Sequence, residues 1–159
     1  MKNNRLLIVD DEQQIRAMLE QFFTEMGYLV MTAGSGKEAL ERIMKYKFDC
    51  VISDIVMPEM DGLALLKRVK EKSPGILFFL ITGYGTIDNA VQGMKDGAYD
   101  FITKPFQLED MKMKVERALL SKNLENSVKK MSGILWALII SIPIWLILGI
   151  LVGMVWKRN

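Results

Sequence analysis

The chain contains no histidine. This excludes histidine-ligated zinc, a Ser-His-Asp triad and any phosphohistidine carried by the chain itself. There is one cysteine, Cys50, so no disulfide can close within the chain, and a reducing compartment suits it. Cys50 lies in the apolar run FDCVIS, where a small buried strand residue is the ordinary expectation. The net charge is +2 and there is no long basic tract, so nucleic acid is not expected as a partner. The first apolar run, Leu6 to Val9, is too short for a secretory signal. At 159 residues the chain has room for one ordinary domain and an appendage. Charge is missing entirely from one stretch, GILWALIISIPIWLILGILVGMVW, between Gly133 and Trp156.

Before that stretch, apolar runs alternate with segments of helical period. LLIV (6–9), YLVMTA (28–33), CVIS (50–53), ILFFLI (76–81) and YDFIT (99–103) read as strands. Ile15, Met18, Leu19, Phe22, Phe23 and Met26 mark one face of a first helix. Asp11 and Gln14 are placed to cap its start, and Gly27 to stop it. Ala39, Leu40, Ile43 and Met44 mark a second helix over 36–47, and Leu63, Leu65, Leu66 and Val69 a third. A fourth helix is expected from Thr86 to Lys95, and a fifth from Gln107 carrying Leu108, Met111, Val115, Ala118 and Leu119. Five strands each followed by a helix predict an α/β fold with a parallel sheet covered on both faces. The domain is expected over 1–120, a polar linker or helix extension over 121–133, a transmembrane helix over 134–156 and a short tail over 157–159.

Ligands of an open parallel sheet bind beyond the carboxyl ends of its strands. The first strand is followed by Asp10 and Asp11 and the third by Asp54. The fourth ends in Thr82, and the fifth in Thr103 and Lys104 before Pro105. Singly, these read as a cap, a turn residue, a loop hydroxyl and a surface charge. Together they form one acidic edge with a cation beside it. Three close carboxylates repel one another, and a hard divalent cation such as Mg²⁺ relieves that conflict. A carboxylate can accept a phosphoryl group, whose oxygens then need donors and positive charge.

The segments LLIVDDE, CVISDIVMPEMDG, LITGYG and YDFITKPF, in this order and spacing, resemble the receiver domain of bacterial two-component response regulators over residues 4–120. The resemblance implies a doubly wound, flavodoxin-like sheet of order 2-1-3-4-5. It implies that Asp54 is the phosphoacceptor, that Asp11 ligates Mg²⁺ directly and that Asp10 orients metal-bound water. The main-chain carbonyl of Val56 would be a further ligand. Thr82 and Lys104 would hold the phosphoryl oxygens, with a cis bond between Lys104 and Pro105. Phe101 falls where an aromatic ring turns inward on activation. Val56 and Tyr84 fall at positions that tune phosphoryl lifetime. The phosphoryl donor would be a separate histidine kinase, a phosphotransfer protein or a small phosphodonor. The domain would act as a regulatory phosphoacceptor with no separate catalytic output.

Residues 134–156 as a helix span ~34 Å, against ~30 Å of bilayer hydrocarbon. Trp136 and Trp156 fall near its two ends, as an aromatic belt requires, and Lys129, Lys130, Lys157 and Arg158 flank it. The run is therefore expected to anchor the domain in the bacterial inner membrane, single-pass, with the receiver in the cytoplasm. It stands where the family more often carries an output domain. Gly149 and Gly153 form G-x-x-x-G, a pattern through which two copies could pair in lipid. Two rival readings are a membrane-tethered phosphoryl sink or relay and a passive docking module without phosphorylation.

Overall fold

The computed structural model describes residues 4–83, 87–125 and 127–128. The chain divides into two units, Met1–Leu119 and Leu120–Asn159. The first is a five-stranded sheet of β1 (Arg5–Val9), β2 (Leu29–Ala33), β3 (Cys50–Asp54), β4 (Leu77–Thr82) and β5 (Asp100–Thr103). All pairings are parallel and the order is β2-β1-β3-β4-β5. Between the strands run α1 (Gln13–Glu25), α2 (Gly36–Lys45), α3 (Gly62–Lys72) and α4 (Ile87–Lys95). A helix called α5 here begins at residue 108 and continues to 125. In the second unit, residues 120–125 and 127–128 are helical. Among the described residues no helix is long and apolar enough to cross a membrane. The expected span 134–156, with Gly149 and Gly153, lies outside them.

Alternation along the strands divides the core into two. Leu7, Val9, Val51, Phe78 and Leu80 face one way and pack with Ala39 and Ile43 of α2 and Leu65, Leu66 and Val69 of α3. Leu6, Ile8, Cys50, Ile52, Phe79 and Ile81 face the other way, toward Leu19 and Phe23 of α1 and Met111, Val115 and Ala118 of α5. Both clusters come wholly from residues below 120, so the first unit carries its own core. Each fully buried aliphatic or aromatic side chain contributes about 1.5–3 kcal/mol.

Local chemistry sets the helix ends. Ser35 Oγ accepts the Glu38 N–H at 3.2 Å and Asp61 Oδ1 accepts the Ala64 N–H at 2.7 Å, capping α2 and α3. Gly27, with φ of +84°, follows α1 in the left-handed conformation that ends a helix without strain. The Asp11–Gln14 capping pair is not found. The N-cap of α1 is Glu12, which makes no side-chain cap bond, because the carboxylates before it are turned to the acidic edge. Met44 departs from its expected face: it is 62% exposed, since the buried stripe of α2 ends at Ile43. Met18 on α1 and Met26, its C-cap, are likewise exposed, at the margins of a stripe centred on Leu19 and Phe23.

Candidate functional site

Register brings the edge together. Val9 pairs with Ser53 and Asp54 with Ile81, so Asp10 emerges beside Asp54 at the ends of the two central strands. Thr82 pairs with Thr103 on the other side. The Lys104 N–H donates to the Thr82 carbonyl at 2.7 Å, and the Lys104–Pro105 peptide is cis. Lys104 thus stands beside the end of β4, and its side chain reaches the end of β3. Its Nζ donates to Asp54 Oδ2 at 3.0 Å and lies 3.6 Å from both Asp10 Oδ2 and Glu12 Oε1.

Carboxylate oxygens of Asp10, Asp11 and Asp54 lie within 4.8 Å of one another; Asp10 and Asp54 are buried and Asp11 is exposed. Asp10 Oδ1 accepts the Glu12 N–H at 2.8 Å. Its Oδ2 is buried without a hydrogen-bond partner. Burial raises the Asp10 pKa above the usual carboxylate value, and the Glu12 N–H and the Lys104 charge only partly offset it. For Lys104, burial pulls the pKa down, but the hydrogen bond to Asp54 and the charges of Asp10, Asp54 and Glu12 outweigh it, and the net shift is upward. The result is an acid-rich edge with a firmly protonated lysine and one buried oxygen lacking a donor. Three hard oxygen donors, one of them orphaned, fit a divalent cation of the Mg²⁺ type.

Thr82 is buried, and its Oγ1 donates to the Gly83 carbonyl at 3.3 Å. Val56 is 62% exposed; its side chain has no ligating atom, so only its main-chain carbonyl could be a ligand from this position. Phe101, on β5, is half-buried and packs against the core cluster of Leu80. Lys114 of α5 donates to the Phe101 carbonyl at 3.3 Å and pairs with Asp100. Tyr84 lies outside the described residues.

Three contributors escaped the sequence reading. Glu12 adds a third carboxylate near Lys104. Arg16, one turn into α1, donates through its guanidinium to the Asp10 carbonyl and holds the end of β1. Gly62, at the start of α3, packs so closely on β3 that a Cβ there would stand 2.2 Å from the Asp54 carbonyl oxygen. The first two are ordinary helix charges in one dimension. For Gly62 the signal was its place directly after Asp61, a cap followed by a residue without a side chain.

The model of the family described as response regulator receiver domain matches residues 6–116. Regulatory protein AtoC of Escherichia coli is 36% identical over 126 residues, 79% of this chain and 27% of that protein. The DNA-binding transcriptional regulator NtrC of Klebsiella pneumoniae is 39% identical over 112 residues, 70% of this chain and 24% of its own length. The chain thus spans about a quarter of the length of these relatives. Among solved structures, a receiver domain protein from Clostridium thermocellum superposes with a TM-score of 0.73 at 31% identity, covering 76% of this chain and 98% of that one. The receiver domain of NtrX from Brucella abortus gives 0.69 at 37%, covering 72% and 97%. Both solved chains are hardly larger than the matched region.

Proposed function

The chain belongs to the response regulator receiver family of two-component signalling, and from that premise we propose that it is a membrane-anchored receiver switched by phosphorylation of Asp54. The observation that carries this reading is the Asp54 carboxylate, held at 3.0 Å from Lys104 and within 4.8 Å of two further carboxylates. Asp54 attacks phosphorus, the bond from phosphorus to its donor breaks, and an acyl phosphate forms. The chain has no histidine, so the donor is a histidine kinase, a phosphotransfer protein or a small phosphodonor. Lys104 and Thr82 receive the phosphoryl oxygens. Asp10, Asp11, Asp54 and the Val56 carbonyl would hold Mg²⁺, which when bound supplies charge neutralisation for the phosphoryl oxygens. Movement of Thr82 and Phe101 then shifts a two-state equilibrium at the face of α4, β5 and α5. Exposed Val91, Met94, Tyr99 and Met113 give that face the apolar character a partner would cover.

Membrane anchoring by 134–156 rests on the length and lack of charge of that run; both flanks are basic, so the cytoplasmic side is assigned to the receiver from the cytosolic kinases it would need as donors. The G-x-x-x-G of Gly149 and Gly153 supports pairing of two such helices. DNA binding, part of the name of one relative, is not carried over, because the match covers only a quarter of that protein.

With Mg²⁺ and a small phosphodonor, residues 1–125 should gain one acid-stable, base-labile phosphate, and Asp54→Asn should abolish it. Labelling that persists in Asp54→Asn overturns the assignment. The full chain should resist carbonate extraction from membranes while 1–125 stays soluble. Gly149→Ile with Gly153→Ile should lose cross-linking in membranes without losing insertion.

A further inference from the structure

In a parallel sheet every helix returns the chain to the start of the next strand. The amino-terminal end of this sheet therefore collects the helix ends, opposite the acidic edge. The last turns of α2, α3 and α4 there carry Lys45, Lys72 and Lys95, and Lys47 follows in the next loop. Lysines at helix carboxyl ends complement the helix dipole and need no further purpose. That account does not cover Lys47, which lies outside the helix, nor the apolar groups exposed among the lysines.

Leu29, Met44 and Tyr46 are 52%, 62% and 47% exposed. Leu29 and Tyr46 line a recess of about 530 Å³ at the free edge of β2, whose walls also include Tyr28, Val30 and Phe48. A second hollow of about 480 Å³ shares Tyr46 and Phe48 with it and is rimmed by Lys45 and Lys47. Met44 joins the same corner, with Lys72 Nζ 3.4 Å from its sulfur. One acid, the half-buried Asp49, also lines the second hollow and accepts the Arg5 N–H at 2.9 Å. Glu20 also borders the first recess, and Glu25 and Glu71 lie at this end of the helices.

We propose that this β2 corner, apolar at its centre and ringed by Lys45, Lys47 and Lys72, docks on an anionic lipid bilayer. Exposed apolar side chains enter the headgroup region while the lysines meet lipid phosphates. The inference rests on the anchoring reading above for its choice of lipid. The helix α5 runs back from the acidic edge, so the first unit ends at Leu119 on this same amino-terminal side of the sheet. Residues 120–133 reach at most ~50 Å even when fully extended. An anchored run at 134–156 therefore keeps the corner at high effective concentration near the surface.

The test uses vesicles of phosphatidylcholine with and without a quarter of phosphatidylglycerol. Residues 1–125 should co-sediment with the anionic vesicles and not with the neutral ones. Each basic residue at such a surface is worth about fivefold in partitioning, so Lys45→Glu, Lys47→Glu and Lys72→Glu together should lower binding by more than about 100-fold. Asp54 phosphorylation by a small donor should persist in that variant, showing that it folds. In the full chain reconstituted in anionic bilayers, amide exchange over residues 44–49 should slow relative to neutral bilayers. Equal binding to both vesicles, or binding indifferent to the three reversals, overturns the proposal. So does lysine-dependent binding of polyglutamate as tight as that of the vesicles. If carbonate releases the full chain while 1–125 still binds anionic vesicles through the lysines, the anchor reading falls and this one stands.

Discussion

Lys104 Nζ donates to Asp54 Oδ2 at 3.0 Å across fifty residues of sequence, and the same ammonium lies 3.6 Å from Asp10 and from Glu12. One partly exposed cation thus balances three carboxylates on one edge. Its removal leaves two buried acids, Asp10 and Asp54, facing each other without a counter-charge. Lys104→Ala should destabilise the metal-free domain by about 1–3 kcal/mol, less than for a wholly buried pair because water reaches the ammonium. Mg²⁺ should bind at least as tightly as in the parent, since a competing cation has gone. Labelling of Asp54 should slow, and the phosphorylated variant should fail to change its α4–β5–α5 face. Urea melts with and without Mg²⁺, and amide exchange over β5, measure these effects.

Asp10 carries the opposite liability. Burial raises its pKa in the folded state, so the fold holds the neutral acid better than the ion. That contribution is complete below the unpaired value of 3.8 and is lost as pH rises through the raised folded value. Lys104, also raised, holds its contribution up to its ordinary value of 10.5 and loses it only in strong alkali. Metal-free 1–125 should therefore melt lower as pH climbs from about 4 toward neutrality wherever Asp10 dominates. Asp10→Asn, which cannot ionise, should flatten that slope and raise the neutral-pH Tm by a few degrees. A slope unchanged in Asp10→Asn would show that another acid is responsible.

A divalent cation at Asp10, Asp11 and Asp54 should stabilise the fold by mass action. At a hundred times its dissociation constant the gain is about 2.7 kcal/mol, read directly as a shift in the urea midpoint. The parent should show this shift and Asp11→Asn most of it should lose, with little change in metal-free stability because Asp11 is exposed. Equal shifts in both proteins would place the ion elsewhere.

The sheet and its edge were legible because each depends on signals local in sequence. Runs such as LLIV and ILFFLI are apolar throughout, as strands buried on both faces are, and Asp10, Asp54 and Thr82 each stand at the end of such a strand, while Lys104 follows the more exposed β5. Register then turns four separated residues into neighbours. Helix margins were less legible: Met44 has the spacing of a core residue but lies one position past where α2 leaves the sheet. The absence of an Asp11 cap was hidden too, since an acid before a helix reads the same whether it faces the helix amides or a neighbouring carboxylate. Glu12 and Arg16 act only through partners brought close by folding, which no periodicity reveals.

Gly62 separates packing from switching. A Cβ at this position would lie 2.2 Å from the Asp54 carbonyl oxygen and 3.0 Å from Ile55 Cα, both backbone atoms of the site. At Gly93 the nearest contact is also 2.2 Å, but to Leu80 Cδ1, the far end of a side chain that can rotate. Gly62→Ala must therefore move either α3 or the end of β3, whereas Gly93→Ala needs only a rotamer change. Overpacking of a rigid site costs about 1–3 kcal/mol, partly offset at both positions by the better helix propensity of alanine. Gly62→Ala should fall in this range by urea melts and should also slow Asp54 labelling, because the displaced backbone carries the nucleophile. Gly93→Ala should cost less and leave labelling at the parent rate. Labelling that is normal in Gly62→Ala at unchanged stability would mean that α3 slides freely over β3, and that this glycine does not position Asp54.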